Sequence, residues 1–190
     1  MLAKRMITET HDTDKRARLR EIIGAQSLLK NRDFQLSSGR RSNYYFDMKK
    51  TTLDPEGGGL VADLVFEMVR QEGARFIGGL AMGAIPIVTA VSIRSWPGCP
   101  IRAFYVRDEI KDHGTQELIY GFIENGGDVV LVDDVTTEGR SVMKAVAAVR
   151  QHGCRVLKVI TVVDRLEGAE RNFKEAGVPF VPIFTTRDFD

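Results

Sequence analysis

The N-terminal third of the chain carries first a helical and then an extended pattern of apolar residues. Within residues 14–30 the apolar positions follow helical spacing and charged residues fill the opposite face, which predicts an amphipathic helix. In FQLSSGRRSNYYFD, residues 34–47, Ser-Ser-Gly separates two aromatic-rich stretches, which predicts a strand, a turn and a second strand. The residues DPEGG at 54–58 predict an interruption of secondary structure, and a second amphipathic helix is expected over residues 60–70.

From residue 76 onward, short apolar runs alternate with helical patterns. We expect strands over residues 76–80, 101–106, 129–132, 155–163 and 180–184, and helices over residues 84–95, 141–151 and 167–176. Continuous apolar strands separated by helices are typical of a parallel sheet that is covered on both faces. We therefore predict an α/β doubly wound parallel sheet with helices on both faces. In such a sheet ligands bind beyond the carboxyl ends of the strands, here after Leu80, Val132 and Val163.

The stretch VVLVDDVTTEGRSV, residues 129–142, has the pattern of a phosphate-binding site at the end of a strand. A buried strand leads to Asp133 and Asp134, and a loop rich in Thr, Gly and Ser then runs into a helix. Backbone N–H groups and hydroxyls at a helix N-terminus favour an anion. Paired carboxylates beside such a loop suit a sugar phosphate, because they accept hydrogen bonds from vicinal hydroxyls. The alternative is an ordinary strand-to-helix connection capped by Asp and Thr.

Composition and charge argue against several function classes. The chain has 190 residues, and 27 Lys and Arg against 26 Asp and Glu leave a formal net charge of +1, so it has no global field for nucleic acid or an anionic membrane. No DNA-binding element is evident, and no apolar run reaches the ~18 residues that span a bilayer. The charged N-terminus lacks the apolar segment of a secretory signal. Cys99 and Cys154 provide no disulfide framework and no zinc cluster, which fits a reducing cytoplasm.

As a whole, residues 129–142 closely resemble the phosphoribosyl diphosphate (PRPP) binding motif of type I phosphoribosyltransferases. Three further segments resemble orotate phosphoribosyltransferases in particular. Residues 34–47 are similar to their F-x-L-x-S-G-R-x-S-x-Y-Y-F-[DN] segment, and VRDEIKDHG, residues 106–114, is similar to their mobile loop. VVDRLEG, residues 162–168, resembles their strand-end D-R-x-E-x-G, and all the segments appear in the family's order.

The resemblance implies a role for individual residues. Asp133 and Asp134 are implied to contact the ribose hydroxyls of PRPP. The loop implied to hold the 5′-phosphate comprises Val135, Thr136, Thr137, Glu138, Gly139, Arg140 and Ser141. The residues implied to contact orotate are Tyr45, Phe46, Thr137 and Arg165. The residues implied to meet pyrophosphate, and to act as the catalytic groups of the mobile loop, are Arg107, Lys111 and His113.

In the family, orotate displaces pyrophosphate from PRPP in the presence of Mg²⁺ and gives orotidine 5′-monophosphate. Cleavage at the anomeric carbon leaves cationic character on the ribose and negative charge on the leaving group, which Mg²⁺ and a cationic loop neutralise. The ion is implied to be held mainly by substrate oxygens and water, so we expect no protein ligand set. The resemblance also implies a cytoplasmic homodimer with active sites shared across the interface. Residues 1–59 would form an N-terminal hood beside the orotate site, and residues 60–190 the transferase core of one compact domain.

The sequence departs from the family pattern at five positions. A basic residue is common at the position of Ser37, and lysine is common at the positions of Gly83 and Asp108. Small residues are usual where this chain has Glu138 and Arg140. These five changes bear on PRPP affinity more than on fold or reaction class.

Some of the candidate residues also have ordinary structural explanations. Residues 107–114 hold three basic and three acidic groups, which is typical of a solvated surface loop. The Tyr-Tyr-Phe run fits a core strand, and Arg165 at a strand end fits a structural ion pair with Asp164 or Glu167.

Three hypotheses for the function stand at this point. The first is an orotate phosphoribosyltransferase. The second is another type I phosphoribosyltransferase acting on a purine or uracil, against which residues 34–47 and 162–168 argue. The third is a PRPP-binding regulator or an inactive relative, which Asp108 and Glu138 keep open.

Overall fold

The structure is a computed structural model, which describes residues 2–35, 41–108 and 117–190. Its helices are α1 (Leu2–Ile22), α2 (Lys49–Thr52), α3 (Pro55–Glu72), α4 (Ala84–Ser95), α5 (Arg140–Gln151) and α6 (Ala169–Glu175). A π-helical turn, Ile23–Ser27, extends α1, and a 3-10 turn, Thr186–Phe189, follows the last strand. No helix in the described ranges is long and apolar enough to cross a membrane.

The strands of the described chain form two sheets. They are β1 (Leu28–Gln35), β2 (Arg41–Phe46), β3 (Phe76–Gly78), β4 (Arg102–Val106), β5 (Ile119–Gly121), β6 (Asp128–Thr136), β7 (Arg155–Asp164) and β8 (Phe180–Thr185). Strands β1 and β2 pair antiparallel as a separate ribbon. The other six strands form one sheet in the order β5-β4-β3-β6-β7-β8, which is parallel apart from the antiparallel edge strand β5.

Helices cover both faces of the six-stranded sheet, which confirms the predicted doubly wound architecture. Helices α3 and α4 share one buried core with Val130 and Val132 of β6. Helices α5 and α6 share a second core with Val129 and Leu131. Successive residues of β6 thus pack into opposite cores, because side chains alternate across a strand. This explains why the sequence of β6 is continuously apolar.

The predicted interruption of secondary structure at residues 54–58 is wrong, because helix α3 begins at Pro55. The Asp54 carboxylate accepts hydrogen bonds from the amides of Glu56 and Gly57 at 3.0 and 2.8 Å, and Pro55 occupies the first helical position. A Cβ added at Gly57 would lie 2.7 Å from the carbonyl oxygen of Thr51. The glycine therefore allows α2 to pack closely against α3, rather than ending the helix.

Two other elements differ from the expected pattern. The helix expected over residues 14–30 is α1, which gives way to the π-helical turn before β1 begins at Leu28. Leu28 pairs with Phe46 across the ribbon, so tertiary pairing overrides the helical spacing. The sequence pattern predicts no strand between residues 107 and 127, yet Ile119–Gly121 form β5 and pair with β4, because three residues are too few to show a period.

The N-terminal region and the transferase core are continuous in the structure. Leu19 of α1 and Phe46 of β2 belong to the same buried core as α3 and α4. Helix α3 crosses the expected boundary between residues 59 and 60. The separation into a hood, residues 1–59, and a core, residues 60–190, therefore stays a prediction, and the β1–β2 ribbon is the part of the hood that forms a separate sheet.

Candidate functional site

One cavity lies at the carboxyl ends of the central strands. It brings together every residue that the family resemblance implies as a contact of ribose, 5′-phosphate or orotate. Its volume is about 560 Å³. The lining residues are Tyr45, Phe46, Lys49, Asp108, Asp133, Asp134, Val135, Thr136, Thr137, Glu138, Gly139, Arg140, Ser141, Lys144 and Arg165. Its walls are the end of β6, the loop that leads into α5, and the β1–β2 ribbon.

The carboxylate pair lies at the end of β6, as expected. Asp133 is buried, and its Oδ2 accepts a hydrogen bond from the Thr136 hydroxyl at 3.1 Å. Burial, and secondly the charge of Asp134, raises the pKa of Asp133 to about 8. Burial also raises the pKa of Asp134, while the Val135 amide, 2.8 Å from its Oδ1, and the ammonium of Lys49 oppose the rise. Two adjacent carboxyl groups with raised pKa values in a cleft are typical of a functional site rather than of packing.

The loop after β6 is shaped by a glycine in the left-handed conformation. Gly139 has φ of 78°, and an added Cβ there would lie 2.7 Å from the ring of Phe173. The side chain of Asn172 donates a hydrogen bond to the carbonyl oxygen of Glu138 at 2.8 Å, which ties the loop to α6. Glu138 and Arg140, the unusual pair in this loop, form an ion pair at 2.7 Å. Helix α5 therefore presents its N-terminus to the cavity with a fixed loop in front of it.

Arg165 lies in the cavity wall, and its guanidinium is also held by neighbouring side chains. Its Nε donates to Glu167 at 2.7 Å, its Nη2 donates to the Ser42 hydroxyl at 3.0 Å, and it lies 4.4 Å from the ring centroid of Tyr44. Its side chain is only 3% exposed. The expected ion pair with Glu167 is therefore present, and it holds the guanidinium in the wall of the cavity.

The two aromatic residues assigned to orotate differ in their surroundings. Phe46 is buried in the core and packs against Phe189, with ring centroids 5.3 Å apart. Tyr45 is half-buried and stacks on Phe34, with ring centroids 5.6 Å apart. Both line the cavity, but Phe46 is only 4% exposed whereas Tyr45 is half-buried. The alternative of a core strand residue thus describes Phe46 well.

The three residues assigned to pyrophosphate do not all meet in the described structure. Arg107 is not among the residues that line the cavity. Its amide donates to the carbonyl oxygen of Leu118 at 2.9 Å, and its guanidinium lies 5.7 Å from the ring centroid of Tyr120. Lys111 and His113 lie outside the described residues.

Two lysines that were not predicted from the sequence as site residues also line the cavity. Lys49 forms an ion pair with Asp47 at 3.0 Å, and Lys144 pairs with Asp108. Lys49 follows the Tyr-Tyr-Phe-Asp motif by two residues, so its proximity to that motif was the available signal. Lys144 lies one helical turn after Arg140, so it shares that residue's face of α5.

Comparisons with known proteins agree with this geometry. The model of the phosphoribosyl transferase domain matches residues 53–181. The orotate phosphoribosyltransferase of Bradyrhizobium sp. strain BTAi1 is 45% identical over 179 residues, covering 92% of this chain and 96% of that protein. The enzyme of the same name from Methanocaldococcus jannaschii is 40% identical over 175 residues, covering 92% and 97%. Among solved structures, Mycobacterium tuberculosis orotate phosphoribosyltransferase in complex with PRPP superposes with a TM-score of 0.77 at 35% identity, covering 92% and 98%.

Proposed function

We propose residue roles from one premise, which is that the chain belongs to the phosphoribosyl transferase family and, within it, to the orotate phosphoribosyltransferases. It is a glycosyltransferase of pyrimidine biosynthesis. It transfers the 5-phosphoribosyl group of PRPP to orotate and releases pyrophosphate and orotidine 5′-monophosphate. The observation that carries the roles is the single cavity in which the carboxylate pair, the loop before α5 and the β1–β2 ribbon meet.

The 5′-phosphate of PRPP binds at the N-terminus of α5 in this proposal. The backbone N–H groups of residues 137–141 and the hydroxyls of Thr137 and Ser141 supply donors, and the helix dipole favours the negative charge. Gly139 supports this role, because its φ of 78° lets the loop turn into the helix.

The carboxyl groups of Asp133 and Asp134 hold the ribose hydroxyls. With its pKa near 8, Asp133 is protonated in much of the empty enzyme at neutral pH. A protonated carboxyl both donates and accepts hydrogen bonds, so it matches a hydroxyl without burying a net charge. We test this role with Asp134→Asn, for which we expect a raised KM for PRPP and an unchanged melting temperature. A lowered melting temperature with an unchanged KM for PRPP would assign Asp134 a structural role instead.

Orotate lies between the β1–β2 ribbon and the strand-end guanidinium. Tyr45 contacts the pyrimidine ring, and Arg165 donates to the carboxylate or ring oxygens, a task for which a planar fork is well suited. Because Glu167 and Ser42 hold Arg165, the guanidinium is oriented before orotate arrives. Preorganised donors of this kind lose little side-chain entropy on binding.

Mg²⁺ is the proposed cofactor, held mainly by PRPP oxygens and water. Asp133 and Asp134 provide carboxylate oxygens, the ligand type that Mg²⁺ prefers, at the ribose end of the cavity. When bound, the ion neutralises charge that develops on the pyrophosphate.

A homodimer with shared active sites is also part of the proposal, with Arg107, Lys111 and His113 serving pyrophosphate across the interface. Two-fold dimers are the commonest closed assemblies. Mixing an inactive Lys111→Ala subunit with an inactive Asp134→Ala subunit should restore part of the activity. No recovery in verified heterodimers would contradict sharing.

Two free cysteines, one buried and one exposed, fit a reducing compartment such as the cytoplasm.

A further inference from the structure

The cavity poses an electrostatic problem for the leaving group, and the following inference rests on the proposed function. PRPP must place its pyrophosphate beside the ribose, and the ribose is proposed to lie on Asp133 and Asp134. Besides Mg²⁺ and the loop residues proposed above, a polyanion beside the Asp134 carboxylate favours a further cation on the same side of the cavity, because like charges at close range repel.

The other cations of the cavity wall are held elsewhere. Arg165 is covered by Tyr44 and paired with Glu167. Arg140 and Lys144 both lie on α5, beside the phosphate loop. Among the described cations that line the cavity, Lys49 is therefore the one that lies neither on α5 nor against the ring of Tyr44.

In the loop between β3 and α4, Gly83 lies against the carboxylate of Asp134. A Cβ added at Gly83 would lie 2.4 Å from Oδ1 of Asp134, so a side chain at this position would have to displace that carboxylate. The loop residues Gly-Leu-Ala-Met-Gly, 79–83, carry no charged side chain. A cation for this end of the cavity must therefore come from another element.

Lys49 is placed to supply that cation. It is the first residue of α2, it lines the cavity, and its charge opposes the rise in the pKa of Asp134. Its ammonium forms an ion pair with Oδ1 of Asp47 at 3.0 Å, and this buried oxygen has no other hydrogen-bond partner among the described residues. The backbone amide of Asp47 donates to the carbonyl oxygen of Ser27 at 2.8 Å, which fixes the position of this partner.

We propose that Lys49 binds the pyrophosphate group of PRPP beside Asp134, and that Asp47 is the positioning residue that holds its ammonium there. The ammonium carries three donors, so it can contact a phosphate oxygen and keep its bond to Asp47. The site thus draws one cation for pyrophosphate from α2, in addition to Mg²⁺ and the loop residues proposed above.

The test compares Lys49→Met with Lys50→Met. Lys50 is the adjacent residue of α2 and is also exposed, but it does not line the cavity, so it controls for loss of one positive charge. We expect Lys49→Met to raise the KM for PRPP and the dissociation constant of magnesium pyrophosphate about tenfold, since a hydrogen bond to a charged group is lost. We expect Lys50→Met to change either value less than twofold, and the KM for orotate to stay within twofold in both variants.

Lys49→Arg keeps the charge and should retain most of the pyrophosphate affinity, even if Lys49→Met lowers the melting temperature by leaving Asp47 unpaired. Equal effects of Lys49→Met and Lys50→Met would overturn the proposal, as would a change confined to the KM for orotate. Calorimetric titration with magnesium pyrophosphate needs no orotate. It therefore judges Lys49 separately from the proposed function, which fails instead if the wild-type protein binds PRPP but leaves orotate unchanged.

Discussion

Replacing Asp133 by asparagine should make the empty protein more stable while it weakens the use of PRPP. The carboxyl is buried at the end of β6, and its pKa is raised to about 8 from an ordinary value of 3.8. Between these two pH values the folded protein keeps a proton that the unfolded chain releases. Stability therefore falls as pH rises through this window. Asparagine has the same shape, can still accept the hydrogen bond from Thr136, and does not ionise.

The size of the effect follows from two opposing contributions. At one pKa unit for each 1.36 kcal/mol, the raised pKa corresponds to about 4 kcal/mol at pH 7. The buried NH₂ group of the asparagine offsets roughly 1–3 kcal/mol of this if it finds no acceptor. We expect a net gain of about 1–3 kcal/mol in the free energy of unfolding, or a melting temperature higher by roughly 2–12 °C for a chain of this size.

Thermal unfolding of both proteins at pH 5 and pH 8, without PRPP, measures this directly. The advantage of Asp133→Asn should grow with pH, and the KM for PRPP should rise. Asp128→Asn is a control of opposite sign, because hydrogen bonds from Arg155 lower the pKa of Asp128. A variant that is less stable than the wild type at pH 8, or an advantage that is independent of pH, would refute the reasoning.

Two further predictions concern the walls of the same cavity. Asp108→Asn should lower the KM for PRPP by at most about fivefold at low salt, because it frees Lys144 from an exposed ion pair. The same change in a Lys144→Met background should have no effect, and an equal effect in both backgrounds would contradict the pairing. Gly83→Ala should raise the KM for PRPP at least several-fold with little change in melting temperature, because its methyl group displaces the carboxylate of Asp134. An unchanged KM, measured in the same assay, would show that this carboxylate is free to move.

The sequence predicts the parallel sheet and the carboxylate pair well because both depend on local patterns. Strand β6 is long and mostly apolar and carries Asp133 and Asp134 near its carboxyl end, so the strand and the position of the carboxylate pair are encoded in one stretch. The start of α3 was missed because the glycines after Asp54 resemble a break. Their use is to let α2 approach α3, which is a contact between elements.

The electrostatic details of the site depend on contacts that no local pattern contains. Asp108 and Lys144 are 36 residues apart, and only the fold brings them together. Arg165 joins Ser42, 123 residues away, so the link between the core and the β1–β2 ribbon could not be inferred from spacing. Lys49 was missed for the same reason, since only the fold brings it into one cavity with Asp134, 85 residues further along the chain.

Consumption of orotate by the purified protein with PRPP and Mg²⁺, followed by the loss of orotate absorbance, measures the transferase reaction itself. We expect stoichiometric formation of orotidine 5′-monophosphate and pyrophosphate, loss of the reaction in excess chelator, and little turnover of uracil, which has no carboxylate to pair with Arg165. Comparable turnover of uracil, or full activity in excess chelator, would contradict the proposed function.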